Sequence, residues 1–160
     1  MMHSNYRMNS KMLPIYDEMN RRDLSSVILS PELNVIIHAG IIRDESAVLL
    51  SHLMKLAQST GKNEFQDLTG FECFVNHFHL DEYPSYQDDV TRLKIALLLI
   101  DEITSLLNAK KLSGEYNHII SMDDTSCTLR FHKIRVNESW LMDNLEDYKD
   151  DAILVAKTNV

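Results

Sequence analysis

The fold of this chain is decided by residues 116–136, which read YNHIISMDDTSCTLRFHKIRV. Both ends of this stretch are rich in Ile, Thr and aromatic residues, which favour strands, and residues 123–126 between them are turn formers. The pattern predicts a β-hairpin with strands over Tyr116–Met122 and Cys127–Val136. A loop of even length places Met122 opposite Cys127, and it puts four side chains on one buried face: His118, Ile120, Leu129 and Phe131.

A long helix precedes this hairpin, and one more strand follows it. Ser85 with Asp88 is a variant of a capping box and predicts a helix from about Tyr86 to Lys110. Its apolar residues form one stripe at helical spacing: Val90, Leu93, Leu97, Ile100, Ile103 and Leu107. We therefore expect this helix to be central, and we expect Ala152–Thr158 to join the sheet of the hairpin as a last strand.

Two shorter helices are predicted upstream. Residues 30–32, Ser-Pro-Glu, combine an N-cap, a Pro in the first turn and an early acid, and they predict a helix that Gly40 ends. Asp44 predicts the cap of a second helix, which Gly61 terminates. The apolar residues of this second helix recur at helical spacing: Val48, Leu49, Leu53, Leu56 and Ala57.

Residues 70–81 fit either a helix or a strand. Thr69 with Glu72 resembles a capping box, and four apolar residues follow a helical period: Phe71, Phe74, Val75 and Phe78. As a strand, the same segment would point His77 and His79 to one side. We favour a helix through Val75 followed by an extended segment.

Together these elements predict an α+β fold in which an antiparallel sheet, formed mainly by the C-terminal strands, packs against several helices, including the long one. Residues 1–13 lack periodicity and are expected to be a disordered or frayed N-terminus. Residues 14–160 are expected to form a single α+β domain, because 160 residues fit one domain with a sizeable core.

The composition predicts a cytoplasmic protein without a membrane segment. The first residues lack the apolar core of a secretory signal, and the longest apolar run, Ile95–Ile100, is far too short to cross a bilayer. Cys73 and Cys127 each lie among apolar residues, so we expect two buried, reduced thiols.

Negative charge is concentrated in two blocks. Between residues 63 and 91 the chain has seven carboxylates and no Lys or Arg, and between residues 138 and 151 it has six carboxylates and one Lys. The formal net charge of the whole chain is −8. Such blocks repel nucleic acid and lipid headgroups and speed the encounter with a basic partner, so direct nucleic-acid binding is not expected.

Catalytic motifs are absent from the sequence, and we expect no enzymatic activity and no cofactor. One alternative stays open, because His77, His79 and Asp81 form an H-x-H-x-D pattern that could supply half of a metal site on a strand. On a helix, His77 and His79 diverge and could not chelate one ion. His118 and His132 lie on opposite hairpin strands, and the even register separates them.

Aromatic residues punctuate both acidic blocks, a composition that suits a surface for binding a basic protein patch. The alternative is a solubilising acidic face whose aromatic residues belong to the core. The candidate partner-binding residues are Asp81, Glu82, Tyr83, Tyr86, Asp88 and Asp89 in the first block, and Trp140, Asp143, Glu146, Asp147 and Asp150 in the second.

Two segments resemble stretches of bacterial contact-dependent growth inhibition immunity proteins. They are LTGFECFVNHFHLDEY, residues 68–83, and SCTLRFHKIRVNESWL, residues 126–141, and the similarity covers roughly residue 30 to the C-terminus. The resemblance implies a cytosolic protein that binds the C-terminal toxin domain of a large effector, often a nuclease, and neutralises it without chemistry of its own. An acidic adaptor for another basic protein is the remaining alternative.

Overall fold

The computed structural model describes residues 5–57 and 62–160, and within them it shows an α+β fold built on a five-stranded antiparallel sheet. The strands are β1 (Asn5–Met8), β2 (Ile41–Asp44), β3 (Ala47–Leu50), β4 (His77–His79), β5 (Glu115–Met122), β6 (Cys127–Lys133) and β7 (Ala152–Asn159). The helices are α1 (Leu13–Arg21), α2 (Pro31–His38), α3 (Ser51–Leu56), α4 (Leu68–Val75) and α5 (Asp89–Ala109). The main sheet has the order β1-β7-β5-β6-β4, and β2 and β3 form a separate hairpin.

The predicted β5–β6 hairpin is confirmed together with its register. Met122 lies opposite Cys127, Ile120 opposite Leu129, and His118 opposite Phe131. These side chains are buried because they share the face that packs against the helices. The predicted last strand is also confirmed, since β7 pairs with β5 along its whole length.

Helix α5 is confirmed as the central helix, although its first turn differs from the prediction. Asp88, rather than Ser85, is the N-cap, because its carboxylate accepts a hydrogen bond from the backbone N–H of Thr91 at 2.7 Å. Leu97 is only half-buried, whereas Ile100 is 1% exposed. The buried residues of the helix are Val90, Leu93, Ile95, Ala96, Leu99, Ile100, Ile103, Thr104 and Leu107.

The predicted helix over residues 44–61 is wrong for its first half. Residues 41–50 form the β2–β3 hairpin, in which Asp44 pairs with Ala47 and the turn residue Glu45 has a φ of 55°. A short apolar run such as Ala47–Leu50 fits a strand as well as a helix, so its periodicity is not decisive. In the described part of this range, 44–57, the helical segment is α3, Ser51–Leu56, and the predicted stop at Gly61 lies outside the described residues.

The expectation of a frayed start over residues 1–13 is wrong for residues 5–13. Strand β1 pairs with β7 at the edge of the sheet, and Asn9 and Met12 are buried. Asn9 holds this segment against the end of the chain, because its side chain donates to the carbonyl of Asp151 at 2.7 Å and accepts from the N–H of Ile153 at 3.0 Å. Residues 1–4 lie outside the described part of the chain.

The ambiguous segment 70–81 is a helix followed by an extended edge strand, as we favoured. Helix α4 ends at Val75, and β4 then pairs antiparallel with β6. Its N-cap is Asp67, whose carboxylate accepts from the N–H of Gly70 at 2.8 Å, rather than Thr69.

The end of α4 joins the β2–β3 hairpin to the sheet through two buried side chains, Glu72 and Asn76. Glu72 accepts hydrogen bonds from the N–H of Val48 at 2.7 Å and from the N–H of Lys133 at 2.8 Å. Asn76 accepts from the N–H of Leu50 and donates to the carbonyl of Val48, both at 2.9 Å. These side chains therefore satisfy backbone groups of β3 that pair with no neighbouring strand.

Arg135 completes the contacts of Glu72. Its two terminal nitrogens lie 2.9 and 2.7 Å from the two carboxylate oxygens, so the ion pair is bidentate. Burial alone lowers the pKa of Arg135, but the hydrogen bonds and charge of Glu72, with smaller contributions from Glu138 and Tyr116, together outweigh burial, so the pKa is raised. The pair is therefore a charged connection between α4 and the chain after β6.

The two faces of the sheet pack against different layers. One face carries Tyr116, Ile120, Leu129 and Leu154 into the main core with α5. The other face carries Ile119, Ile153 and Val155, which the loop after β6 covers with Leu141, Leu145 and Tyr148. Most of the second acidic block belongs to this loop and lies on the opposite face of the sheet from α5, whereas Asp150 lies at the end of the sheet beside the start of α5.

His118 makes the stability of the fold dependent on pH. It is fully buried, its Nε2 lies 3.0 Å from Thr158 Oγ1, and its Nδ1 has no hydrogen-bond partner within the described residues. Burial, with a smaller contribution from His132, lowers the pKa of His118 to about 3. Since the unfolded chain takes up this proton near pH 6.5, stability is complete above that pH and falls as the pH drops towards 3.

We expect the free energy of unfolding of the parent to fall by about 2 to 3 kcal/mol more than that of His118→Gln between pH 7.5 and 4.5. The glutamine keeps a polar group near Thr158 but takes up no proton in this range. Urea unfolding at a series of pH values measures the difference. Parallel pH profiles for the two proteins would show that His118 does not carry this dependence.

Candidate partner-binding surface

Four aspartates converge where α5 begins and the β5–β6 turn ends the sheet. Asp89, Asp123, Asp124 and Asp150 line one cavity of about 170 Å³ together with Lys11. We call these four residues the acidic end. Asp89 comes from the first acidic block and Asp150 from the second, so the fold joins the two blocks through residues that are 61 positions apart in sequence.

The carboxylates of this region are held by local contacts that leave their negative charge in place. Asp123 accepts from the backbone N–H groups of Thr125 at 2.9 Å and Ser126 at 2.7 Å, and these bonds lower its pKa. Asp89 lies 3.6 Å from the guanidinium of Arg92, whose side chain is 19% exposed, so this ion pair compensates one of the four negative charges. The acidic end therefore presents a net negative charge to solvent.

Asp81, Glu82 and Asp88 flank the acidic end in different ways. Asp81 accepts from the N–H of Cys127 at 2.9 Å and so supports the start of β6. Asp88 caps α5, and its bond from the Thr91 N–H lowers its pKa. Glu82 is exposed. Of these three predicted contact residues, Glu82 is the one without a structural role in the described contacts.

Tyr86 does not reach the surface, which corrects its prediction as a contact residue. It is 3% exposed, and its hydroxyl accepts from the N–H of Ser30 at 2.6 Å and donates to the carbonyl of Ile28 at 2.8 Å. Tyr83 packs against Tyr86 with ring centroids 5.9 Å apart and is half-buried. The aromatic residues of the first block therefore belong mainly to the core.

Of the two aromatic residues of the second block, Trp140 is the more accessible. Trp140 is 41% exposed, and it lines an open groove of about 620 Å³ with Met142, Asp143, Asp147 and Tyr148. The Arg130 guanidinium lies 4.9 Å from the Trp140 ring centroid and orients the indole. We call this the Trp140 groove.

The remaining candidate acids of the second block are divided between the groove, the acidic end and the sheet edge. Glu146 points away from the groove and accepts hydrogen bonds from the N–H and hydroxyl of Ser10. Asp147 lines the groove and Asp150 lines the acidic end. Because three residues span at most about 11 Å, one partner could contact both surfaces.

The H-x-H-x-D pattern does not form a three-residue ligand set. The ring centroids of His77 and His79 lie 4.1 Å apart on β4, but the Asp81 carboxylate accepts a hydrogen bond from the N–H of Cys127. Burial lowers the pKa of His77 to about 3, and its Nε2 has no partner in the described residues. Across residues 5–57 and 62–160, no cluster of three His, Cys, Asp or Glu side chains could hold a metal ion.

Cys73 and Cys127 are buried free thiols, as expected. Burial raises the pKa of each to about 12, so neither thiol is activated as a nucleophile. Within the described residues, no helix combines the length and the apolar character needed to cross a membrane.

Two residues of the acidic end were not among the candidates from sequence. From the sequence, Asp123 and Asp124 were predicted only as residues of the turn between β5 and β6. The missing information was that the turn lies beside the first residue of α5, which only the packing of the helix on the sheet determines.

The chain belongs to the uncharacterized protein PM0498 family, whose model matches residues 7–160. Neither the curated proteins nor the solved structures contain a match to this chain. The family description carries no activity, so the resemblance to immunity proteins stays a prediction.

Proposed function

We propose that this protein is a cytoplasmic immunity protein that binds the basic C-terminal toxin domain of a contact-dependent growth inhibition effector and neutralises it. The observation that carries the proposal is the convergence of Asp89, Asp123, Asp124 and Asp150 at one end of the fold. A nuclease domain holds phosphate with Lys, Arg and His side chains, so it presents the complementary charge.

The acidic end supplies the attraction that brings the partner in. Clustered charges of one sign raise the association rate with a partner of opposite sign, and they do so most at low ionic strength. Occupation of a phosphate-binding site by these carboxylates would exclude the substrate without any reaction. This mechanism needs no cofactor and no catalytic residue.

The Trp140 groove supplies the contact that holds the partner. An accessible Trp is a frequent binding hot spot, because it buries a large apolar area with few rotatable bonds. Asp143 and Asp147 line the same groove and form a polar rim around it. The proposed surface thus joins the acidic end to an apolar anchor through residues 147–150.

The two other interpretations are weaker on these observations. A metal-dependent enzyme built on His77, His79 and Asp81 lacks support, since the third side chain is bound to backbone. An acidic adaptor would use the same surface with a different basic protein. The identity of the partner separates an adaptor from an immunity protein.

The test is co-expression with the product of the gene immediately upstream, which an immunity gene should follow. We expect the C-terminal domain of that product to be toxic alone, harmless with this protein, and to co-purify with it as a stable complex. Toxicity unchanged by this protein, with no complex on gel filtration, would refute the proposal. A stable complex with a partner that is not toxic would support the adaptor instead.

A further inference from the structure

A second cavity lies at the other end of α5, about 30 Å from the acidic end along the helix axis. Its volume is about 420 Å³, and four cations from three separate parts of the chain line it. Arg43 comes from β2, Lys111 follows α5, Lys133 ends β6 and Arg135 lies just beyond. We call these four residues the basic pocket.

Three of these cations have no ion-pair partner in the described chain. Within residues 5–57 and 62–160, no carboxylate oxygen lies within 4.0 Å of a side-chain nitrogen of Arg43, Lys111 or Lys133. Arg135 differs, because Glu72 compensates its charge. Glu45 also lines the cavity, which still leaves an excess of positive charge. Although the net charge of the protein is −8, this local excess of positive charge attracts anions to the pocket.

The floor of the pocket is fixed before any ligand arrives. Arg135 donates to Glu72 through both terminal nitrogens, and one of them also donates to the carbonyl of Ser46 at 2.9 Å. The side chain of Lys133 crosses the backbone of Gly114, where an added Cβ would lie 2.8 Å from Lys133 Cε. Gly114 therefore leaves the space in which the Lys133 side chain lies.

The backbone places Lys111 in this pocket at some energetic cost. Helix α5 ends in a Schellman motif, in which the N–H of Lys111 donates to Asn108 and the N–H of Leu112 donates to Leu107, both at 3.0 Å. The left-handed position of this motif usually holds Gly, but here it holds Lys111 with a φ of 54°. Glu45, with a φ of 55°, is a second left-handed residue on the same cavity. Strained residues of this kind cluster at ligand sites.

We propose that the basic pocket binds the phosphate group of a small phosphorylated molecule or of inorganic phosphate. Lys111 and Lys133 supply ammonium donors, Arg43 supplies a guanidinium, and Ser46 and Ser113 line the same cavity. Leu112, which is half-buried, gives the cavity an apolar side that suits an organic group next to the phosphate. This inference is independent of the proposed immunity function, since it uses the other end of the molecule.

The test is a titration of the ¹⁵N-labelled protein with inorganic phosphate, followed by amide chemical shifts. We expect saturable shifts centred on Ser46, Ser113 and Lys133, with an affinity about tenfold weaker in Lys111→Gly and in Lys133→Met. Lys111→Gly separates binding from folding, because Gly suits the left-handed position and should leave thermal stability equal or higher. Lys110→Met is the matched control, since Lys110 is exposed, adjacent and outside the cavity.

A parallel titration with adenosine monophosphate distinguishes the two sources of phosphate. Tighter binding than inorganic phosphate, with an added shift at Leu112, would assign a phosphorylated organic ligand, and equal affinity would assign phosphate itself. The proposal is overturned by shifts that do not saturate, by the same response to chloride at equal ionic strength, or by equal loss of binding in Lys110→Met.

Discussion

Replacing Glu72 by Ala should lower the free energy of unfolding by about 3 to 5 kcal/mol. Glu72 is fully buried, and its carboxylate accepts from Arg135 and from the N–H groups of Val48 and Lys133. The substitution leaves a half-buried guanidinium without its counterion and two backbone donors without acceptors. Urea unfolding at pH 7.5 measures the change.

The matched control is Glu64→Ala, which removes an exposed carboxylate from the short 3₁₀ helix before α4 and should change stability by less than about 0.5 kcal/mol. The loss of stability for Glu72→Gln should fall between the losses for Glu72→Ala and Glu64→Ala, because the amide oxygen can still accept one backbone hydrogen bond. A loss below about 1 kcal/mol for Glu72→Ala would contradict the role we assign to this side chain in joining β3 to β6.

Replacing Ile100 by Ala should lower the free energy of unfolding by about 2 to 5 kcal/mol through a cavity in the main core. Ile100 is 1% exposed on the face of α5 that packs in the main core. Leu97→Ala is the comparison, since Leu97 belongs to the same predicted stripe but is only half-buried. We expect a clearly smaller loss for Leu97, and equal losses would contradict the orientation of α5 described here.

The sequence predicted the elements whose signals are local. The β5–β6 hairpin depends on a turn and an alternating pattern that lie within 21 residues, and α5 depends on a cap and a long apolar stripe. The β2–β3 hairpin was missed, because two runs of four residues carry no decisive period. The N-terminal strand was missed, because its partner β7 lies at the other end of the chain.

The candidate surface was predicted only in part, because some of its residues are close in sequence and others meet only through tertiary packing. Trp140, Asp143 and Asp147 are close in sequence, so their shared groove follows from local chain geometry. The meeting of Asp89 with Asp150 depends on tertiary packing, and so does the burial of Tyr86 against the segment before α2. The ion pair of Glu72 is the clearest example of a contact that the sequence does not predict, because its partner Arg135 is 63 residues away and no pattern connects them.

Charge neutralisation at the acidic end tests the central claim most directly. The variant changes Asp89, Asp123, Asp124 and Asp150 to Asn, which keeps side-chain size and allows the turn around Asp123 to form. The control variant removes four exposed charges elsewhere, by Glu32→Gln, Glu64→Gln, Asp101→Asn and Glu102→Gln. Both variants change the net charge equally, so they separate the effect of position from the effect of total charge.

The measurement is the association rate constant with the toxin domain encoded upstream, at about 50 and 500 mM salt. We predict that the acidic-end variant associates about 10 to 100 times more slowly at low salt and approaches the parent at high salt. The control variant should remain within about threefold of the parent at both concentrations. Equal rates for the parent and the acidic-end variant, or equal slowing of both variants, would contradict the account.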